Sequence, residues 1–466
     1  MRELLLIFLV LLPNILLAVD RGNWKTCDQS SFCKRHREKS STSDPYSVDP
    51  SSVKINETSI DVMISNTENR LKVTVALLED SRLRIFINEA GDSLYPRFHP
   101  IIALDGEPKH QNFLAAEQSP ESASFVTKED GHKVVLSFKP FRLDVYAKKS
   151  LVLSVNSRSL LKFEHFREKK EGETSDNGFW EETYKSHQDT KPYGSSSVGL
   201  DVSYVGFKFI YGLPEHADSF ALKNTDSTDP YRLYNLDVFE YELENPMALY
   251  GSVPYVVAHS KQTTVGSLWL NAAETWVDVH SSTADKGVLA SIVNQFRSSN
   301  EVPQLTGVYP LPPMFSIAYH QCRWNYNDEA DVAAVHAGFD EHDIPVDVLW
   351  LDIEHTDGKR YFTWDPVKFA HSQQMIQQLE DKGRKLVTII DPHIKKDDNY
   401  FVYKEAQENN YFVKTTNGES DYEGHCWPGA SMYLDFLNPE VRDYWSNKFA
   451  LDQYKGSTET LFTGMT

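Results

Sequence analysis

The chain has 466 residues, a formal net charge of −20, 12% aromatic residues and four cysteines. That length suits two or three domains, and so many aromatics exclude a disordered chain, which lacks the buriable surface to offset its entropy. The negative charge repels phosphate backbones and argues against nucleic acid, leaving a neutral or polar ligand as the better fit.

The chain opens with Met1-Arg2-Glu3 and the apolar run LLLIFLVLLPNILLA. A membrane span needs about 20 apolar residues. This run is shorter, is broken by Pro13-Asn14 and ends at Ala18, which is the pattern of a secretory signal peptide over residues 1–18. The mature chain is then expected in an oxidising lumen, with no membrane span. In the segment 19–60, Cys27 and Cys33 of TCDQSSFCKR are close enough for a local disulfide; a zinc pair would need two further ligands nearby. Cys322 and Cys426 are far apart, and the sequence leaves open whether they meet or stay as free thiols. Asn56, in Asn-Glu-Thr, is a glycosylation candidate. With no KDEL-type signal at the C-terminus, residence in the endoplasmic reticulum would need a partner.

Residues 61–300 read as a β-sandwich. Short β-rich runs such as LKVTVALLED, SRLRIFI, HKVVLSF, FRLDVYAKKSLVLSV, VSYVGFKFIYG and TTVGSLWLNA alternate with Gly, Pro, Asn and Asp, the grammar of antiparallel strands joined by turns. REKKEGETSDNG and HQDTKPYGSSS are polar and are expected as surface loops.

From residue 301 to 466 strands alternate with helices. MFSIAYH, VDVLWLDI, KLVTIID and TETLFT are the strand candidates, with helical periodicity in NDEADVAAVHAGFDEHDIP, DPVKFAHSQQMIQQLEDKG and NPEVRDYWSNKFALDQY. Apolar strands separated by amphipathic helices imply a parallel sheet and, at this spacing, the first three to four strands of an incomplete parallel (β/α)8 TIM-type barrel. Chemistry in such barrels sits at the C-terminal strand ends, here HQCRWNYND, LDIEHTDG and IDPHI. Asp352 and Glu354 are spaced to share one side if their strand continues, where two carboxylates could divide acid and base roles; Asp391 ends the next strand. Alternatively these groups cap a helix or pair with Arg323, Arg360 or His393. Trp324, Trp364 and Trp427 nearby favour a site that stacks sugar faces on indoles. His320, His355, His393 and His425 lack metal-ligand spacing, so neither metal nor cofactor is expected.

The stretches PPMFSIAYHQCRWNYND, VDVLWLDIEHTDGKRYFTWD, KLVTIIDPHIK and GHCWPGASMYLDFLNP closely resemble the family 31 glycoside hydrolases, and the likeness runs from about Cys27 to Phe462. It implies a galactose-mutarotase-like sandwich over 61–300, and a barrel that hydrolyses α-glucosidic bonds with retention. The implied substrate is an α-glucoside, such as the α-1,3-linked glucose of N-glycans in the endoplasmic-reticulum lumen, and a beta subunit is the implied protein partner. Carried over by position, Asp352 hydrogen-bonds glucose hydroxyls and Ile353 and Ile389 form apolar walls. Trp427 is an indole platform, Asp391 a supporting residue, and Asp237 of YNLDVF a sandwich-loop contact. The family nucleophile belongs to a Trp-Asn-Asp-Met-Asn-Glu motif after the fourth strand, where this sequence reads Gly464-Met465-Thr466; the acid/base lies later still. The expectation is therefore an α-glucosidase-family chain inactive as it stands, or alternatively a remnant that binds glycan or a beta subunit.

Overall fold

The computed structural model describes residues 21–37, 44–91, 97–128, 131–174, 178–238, 240–280, 288–290, 295–297, 311–415, 418–450 and 454. The expected signal peptide (1–18) and the expected strand at 458–463 lie outside these residues. The chain forms two compact units, Met1–Val308 and Tyr309–Thr466.

The first unit holds two nine-stranded sheets. In one, Ser59–Ser65, Arg70–Leu78 and Arg82–Glu89 form a meander that continues through Gln295–Arg297, Thr264–Leu268 and Tyr255–His259. In the other, Asp201–Tyr204, Ser150–Val155, Arg142–Ala147, His132–Ser137 and Ser122–Lys128 lie side by side. Neighbouring strands are antiparallel, so alternate residues of each strand can turn to one apolar interior. Ile60, Val62 and Ile64, then Leu71, Val73, Val75 and Leu77, are buried in the same cluster as Phe125, Leu136, Leu143, Leu153 and Val202. A side-chain bond joins the sheets at this cluster: the Tyr204 hydroxyl donates to Ser267 Oγ at 2.7 Å, with both residues buried.

Cys27 and Cys33 are bridged and pack against Trp276. The bridge sets the start of helix Ser31–Arg37, whose Arg35 makes two 3.2 Å bonds to Glu164 of the sandwich. Two expectations need correction here. Residues 44–60 do not precede the sandwich but contribute to it, through Ser47–Val48 and Lys54–Ile55 paired with Ser59–Ser65. The polar stretch HQDTKPYGSSS is not wholly loop, because His187–Thr190 pairs with Glu181–Tyr184 as a hairpin; ladder hydrogen bonds overrode its low apolar content.

In the second unit His320–Gln321, Val348–Leu351 and Lys385–Thr388 form a parallel sheet. The strand expected in MFSIAYH is mostly 3-10 helix, Met314–Ile317, and only its end enters the sheet. Helix Glu329–Glu341 starts where Asp328 accepts the Asp331 N–H, and Pro439–Lys448 starts where Asn438 caps and Pro439 needs no N–H. Helix Ser372–Glu380 buries Met375, Ile376 and Leu379 against Leu349, Leu351 and Leu386. Two features are absent from the sequence reading: helix Phe401–Glu408, and a small antiparallel sheet of His393–Lys395, Gly429–Tyr433 and Glu423–Cys426.

Removing the Tyr204 hydroxyl leaves Ser267 Oγ buried without this partner. Tyr204→Phe is expected to cost about 1–2 kcal/mol of unfolding free energy, measured by urea denaturation of the first unit's transition. Adding Ser267→Ala to that variant should cost little more.

Candidate active site

A cleft of about 940 Å³ lies in the first unit beside helix Ser31–Arg37. Its wall residues Arg35 and Glu164 are already ion-paired with each other, so volume alone does not locate chemistry. The strand ends of the second unit do. The last rung of the ladder runs from Ile389 N–H to Leu351 O at 3.1 Å, and polar side chains crowd beyond it.

Asp352 does not continue the strand, which corrects the expectation that Asp352 and Glu354 share one strand face. It caps a 3-10 turn, Ile353–His355, with Oδ1 accepting the Ile353 N–H at 2.7 Å. The local sequence then ties itself into a loop. His355 Nδ1–H donates to Asp352 O at 2.7 Å, Thr356 Oγ1 to Ile353 O at 2.6 Å, and Asp365 N–H to His355 O at 2.8 Å. Arg360 reaches Asp397 Oδ2 through Nε (3.0 Å) and Nη2 (2.6 Å). Gly358 (φ +58°) and Lys359 (φ +63°) turn the loop back on itself, and glycine takes that left-handed conformation without strain.

Three carboxylates interact at this point. Burial pushes the Asp352 carboxyl above the usual range, and Glu354 and Asp391 add like charge, against the opposing hydrogen bond from Ile353. Asp391 accepts the Tyr361 hydroxyl at 2.6 Å, and the same hydroxyl lies 3.1 Å from His393 Nε2, so Tyr361 stands between the acid and the imidazole. The Tyr361 hydroxyl is held far above its ordinary pKa by burial and by Asp391. Glu354 Oε1 accepts Trp324 Nε1–H at 2.8 Å. Trp324 and Trp427 are 69% and 63% exposed, whereas Trp364 packs into the apolar clusters; only the first two present open indole faces.

Ile353 and Ile389 belong to one apolar cluster with Ile390 and Tyr361. Trp427 occupies the turn between Glu423–Cys426 and Gly429–Tyr433, and its carbonyl accepts from Lys359 Nζ at 3.1 Å. Asp237 lies in the first unit, exposed, with its charge beside the Tyr250 hydroxyl. Asn56 is exposed on the turn before Ser59–Ser65, its Nδ2 donating to Ser59 Oγ and Asp61 Oδ2. Cys322 and Cys426 are both free. Burial and the Asp352 charge push the Cys322 thiol up. Among the described residues no three His, Cys, Asp or Glu side chains are grouped to hold a metal ion, and no helix is long and apolar enough to cross a membrane.

Sequence reasoning missed His355, Lys359 and Tyr361. Only the Asp357-Gly358 turn signal pointed at their loop; which side chains it aims inward depends on long-range packing.

The family model for the glycosyl hydrolases family 31 TIM-barrel domain matches residues 309–464, and that for the glycosyl hydrolase 31 N-terminal galactose mutarotase-like domain matches residues 72–278. These two matches cover the parallel α/β unit and most of the sandwich, and both are domains of glycoside hydrolases. Within that class, the chain belongs to glycoside hydrolase family 31. It is similar to neutral alpha-glucosidase AB of Sus scrofa, 43% identical over 96% of this chain and 54% of the relative. Among solved structures, the glucosidase II alpha subunit in its alpha3-Glc2-bound form has a TM-score of 0.86 at 36% identity, covering 94% of this chain and 54% of that one. The ER glucosidase II complex of catalytic subunit and regulatory-subunit binding domain has a TM-score of 0.85, with the same identity and coverage. The chain thus spans about half the length of the relatives it matches.

His355 is fully buried, and burial lowers its pKa from 6.5 to about 4. The unfolded chain takes up a proton near pH 6.5 and the folded chain only near 4, so this contribution to stability is complete above 6.5 and is lost as pH falls through that window. The total is on the order of 3 kcal/mol. Thermal or urea unfolding of the second unit between pH 7 and 4 should show this slope, and His355→Asn should flatten it relative to wild type even if the variant is less stable at pH 7.

Proposed function

We propose that this chain carries the glucose-binding half of an α-glucosidase site, acting on α-glucosylated N-glycans in the lumen of the endoplasmic reticulum. The observation that carries the reading is the convergence of Asp352, Glu354 and Asp391 with two exposed indoles at the C-terminal ends of parallel strands. Such barrels place their chemistry at these ends, and gluco-configured ligands need hydroxyl acceptors beside an apolar face. With Oδ1 fixed by the Ile353 N–H, Asp352 presents Oδ2 to ligand hydroxyls, while Ile353 and Ile389 shape the apolar side. Trp427 supplies the platform and Asp391 supports the floor through Tyr361. The relatives named glucosidase II support the lumenal N-glycan as substrate and a regulatory beta subunit as partner. Cleavage of the leader at residues 1–18 and glycosylation at Asn56 fit the same compartment.

Retaining hydrolysis splits the reaction into two steps with a carboxylate nucleophile and an acid/base carboxyl about 5–5.5 Å apart. Asp352 is committed to the edge of the sugar ring, and Asp391 is occupied by Tyr361, so neither is set beneath an anomeric carbon. A polypeptide of these 466 residues is therefore read as a binder without turnover.

Calorimetric titration with a gluco-configured iminosugar should show binding that Asp352→Asn weakens about tenfold, the loss of one charge-assisted hydrogen bond. A chromogenic α-glucoside should release no glucose above a mock preparation. Turnover abolished by Asp352→Asn would overturn the division of labour, and absence of binding would overturn the site.

A further inference from the structure

Both open indoles are tied to one loop, and each by a charged side chain. Glu354 takes the Trp324 Nε1–H at 2.8 Å, and five residues on Lys359 Nζ donates to the Trp427 carbonyl at 3.1 Å. The two tryptophans come from different elements, the segment after His320–Gln321 and the hairpin turn at 427–428. The loop that grips them is the one whose first residue, Asp352, is the proposed hydroxyl acceptor.

We propose that Glu354 and Lys359 are positioning residues that set the two indole faces around the Asp352 subsite. This rests on the sugar-binding reading above. Several features make the loop fit to position. It is braced by the Asp352–His355, Ile353–Thr356 and Arg360–Asp397 bonds, and Lys395 Nζ adds a bond to Gly358 O at 2.7 Å. Glu354 Oε2 is buried with no hydrogen-bond partner among the described residues, a cost that a freely solvated glutamate would avoid. The retained bond is the one that fixes the Trp324 ring. An exposed indole with its N–H anchored has a fixed plane, and stacking on a sugar requires that plane to be set before the ligand arrives. Lys359 acts on Trp427 through the backbone, so it sets the height of the hairpin turn rather than the ring torsion.

The test uses the whole chain labelled with 5-fluorotryptophan, in which Trp324→Phe and Trp427→Phe assign the two fluorine resonances, together with calorimetry against an α-1,3-linked glucose disaccharide. Glu354→Ala is expected to shift or broaden the Trp324 resonance and leave Trp427 unchanged, and Lys359→Met the reverse. Each should weaken disaccharide binding about tenfold. Glu354→Gln keeps an acceptor for the indole N–H and Lys359→Arg keeps a donor for the carbonyl, so both should bind within about twofold of wild type. Unchanged resonances, unchanged affinity in the truncated variants, or equal loss in the conservative ones would overturn the proposal. A wild-type chain that binds no disaccharide, yet loses the expected resonances in the variants, would sink the sugar reading and leave the clamp standing.

Discussion

The rung from Ile389 N–H to Leu351 O is the point on which the site depends, because the backbone beyond it can no longer be satisfied by the parallel ladder. Buried N–H and C=O groups must then find other partners. Asp352, His355 and Thr356 supply them within four residues: a carboxylate for the Ile353 N–H, an imidazole for the Asp352 carbonyl and a hydroxyl for the Ile353 carbonyl. Polar residues here terminate a strand whose preceding residues are held in the sheet on both sides, by His320–Gln321 and Lys385–Thr388. The same residues leave one carboxylate oxygen pointing onward. Structural capping thus takes one oxygen of the side chain and leaves the other for the ligand role proposed above.

This explains which parts of the molecule were legible in the sequence. Strands such as Arg70–Leu78 and Val348–Leu351 declare themselves because their burial follows their apolar pattern. The disulfide of Cys27 and Cys33 was legible from proximity alone. The hairpin at 181–190 was not, since its stability comes from pairing rather than composition. Helix Phe401–Glu408 buries only Val402, Tyr403 and Ala406, too short a stripe to stand out. At the site, sequence and family resemblance proposed Asp352, Asp391 and Trp427, but not that Asp352 leaves the strand or that Tyr361 donates to Asp391. The first follows from capping between near neighbours and the second from a contact 30 residues apart.

Charge distribution separates the roles of the three acids. Glu354 is tied to an indole and Asp391 to a buried phenol, whereas Asp352 has a single backbone N–H to offset burial and two like charges. A carboxylate in that position is under-solvated, and the groups that can relieve it are donors arriving from outside. Glucose hydroxyls are such donors, and each bond they make favours the charged form. Ligand binding and ionisation of Asp352 therefore favour each other. The neighbouring Cys322 thiol is pushed up by burial and by the Asp352 charge. An acid whose strongest unmet need is for hydroxyl donors is suited to the sugar-holding role proposed for it.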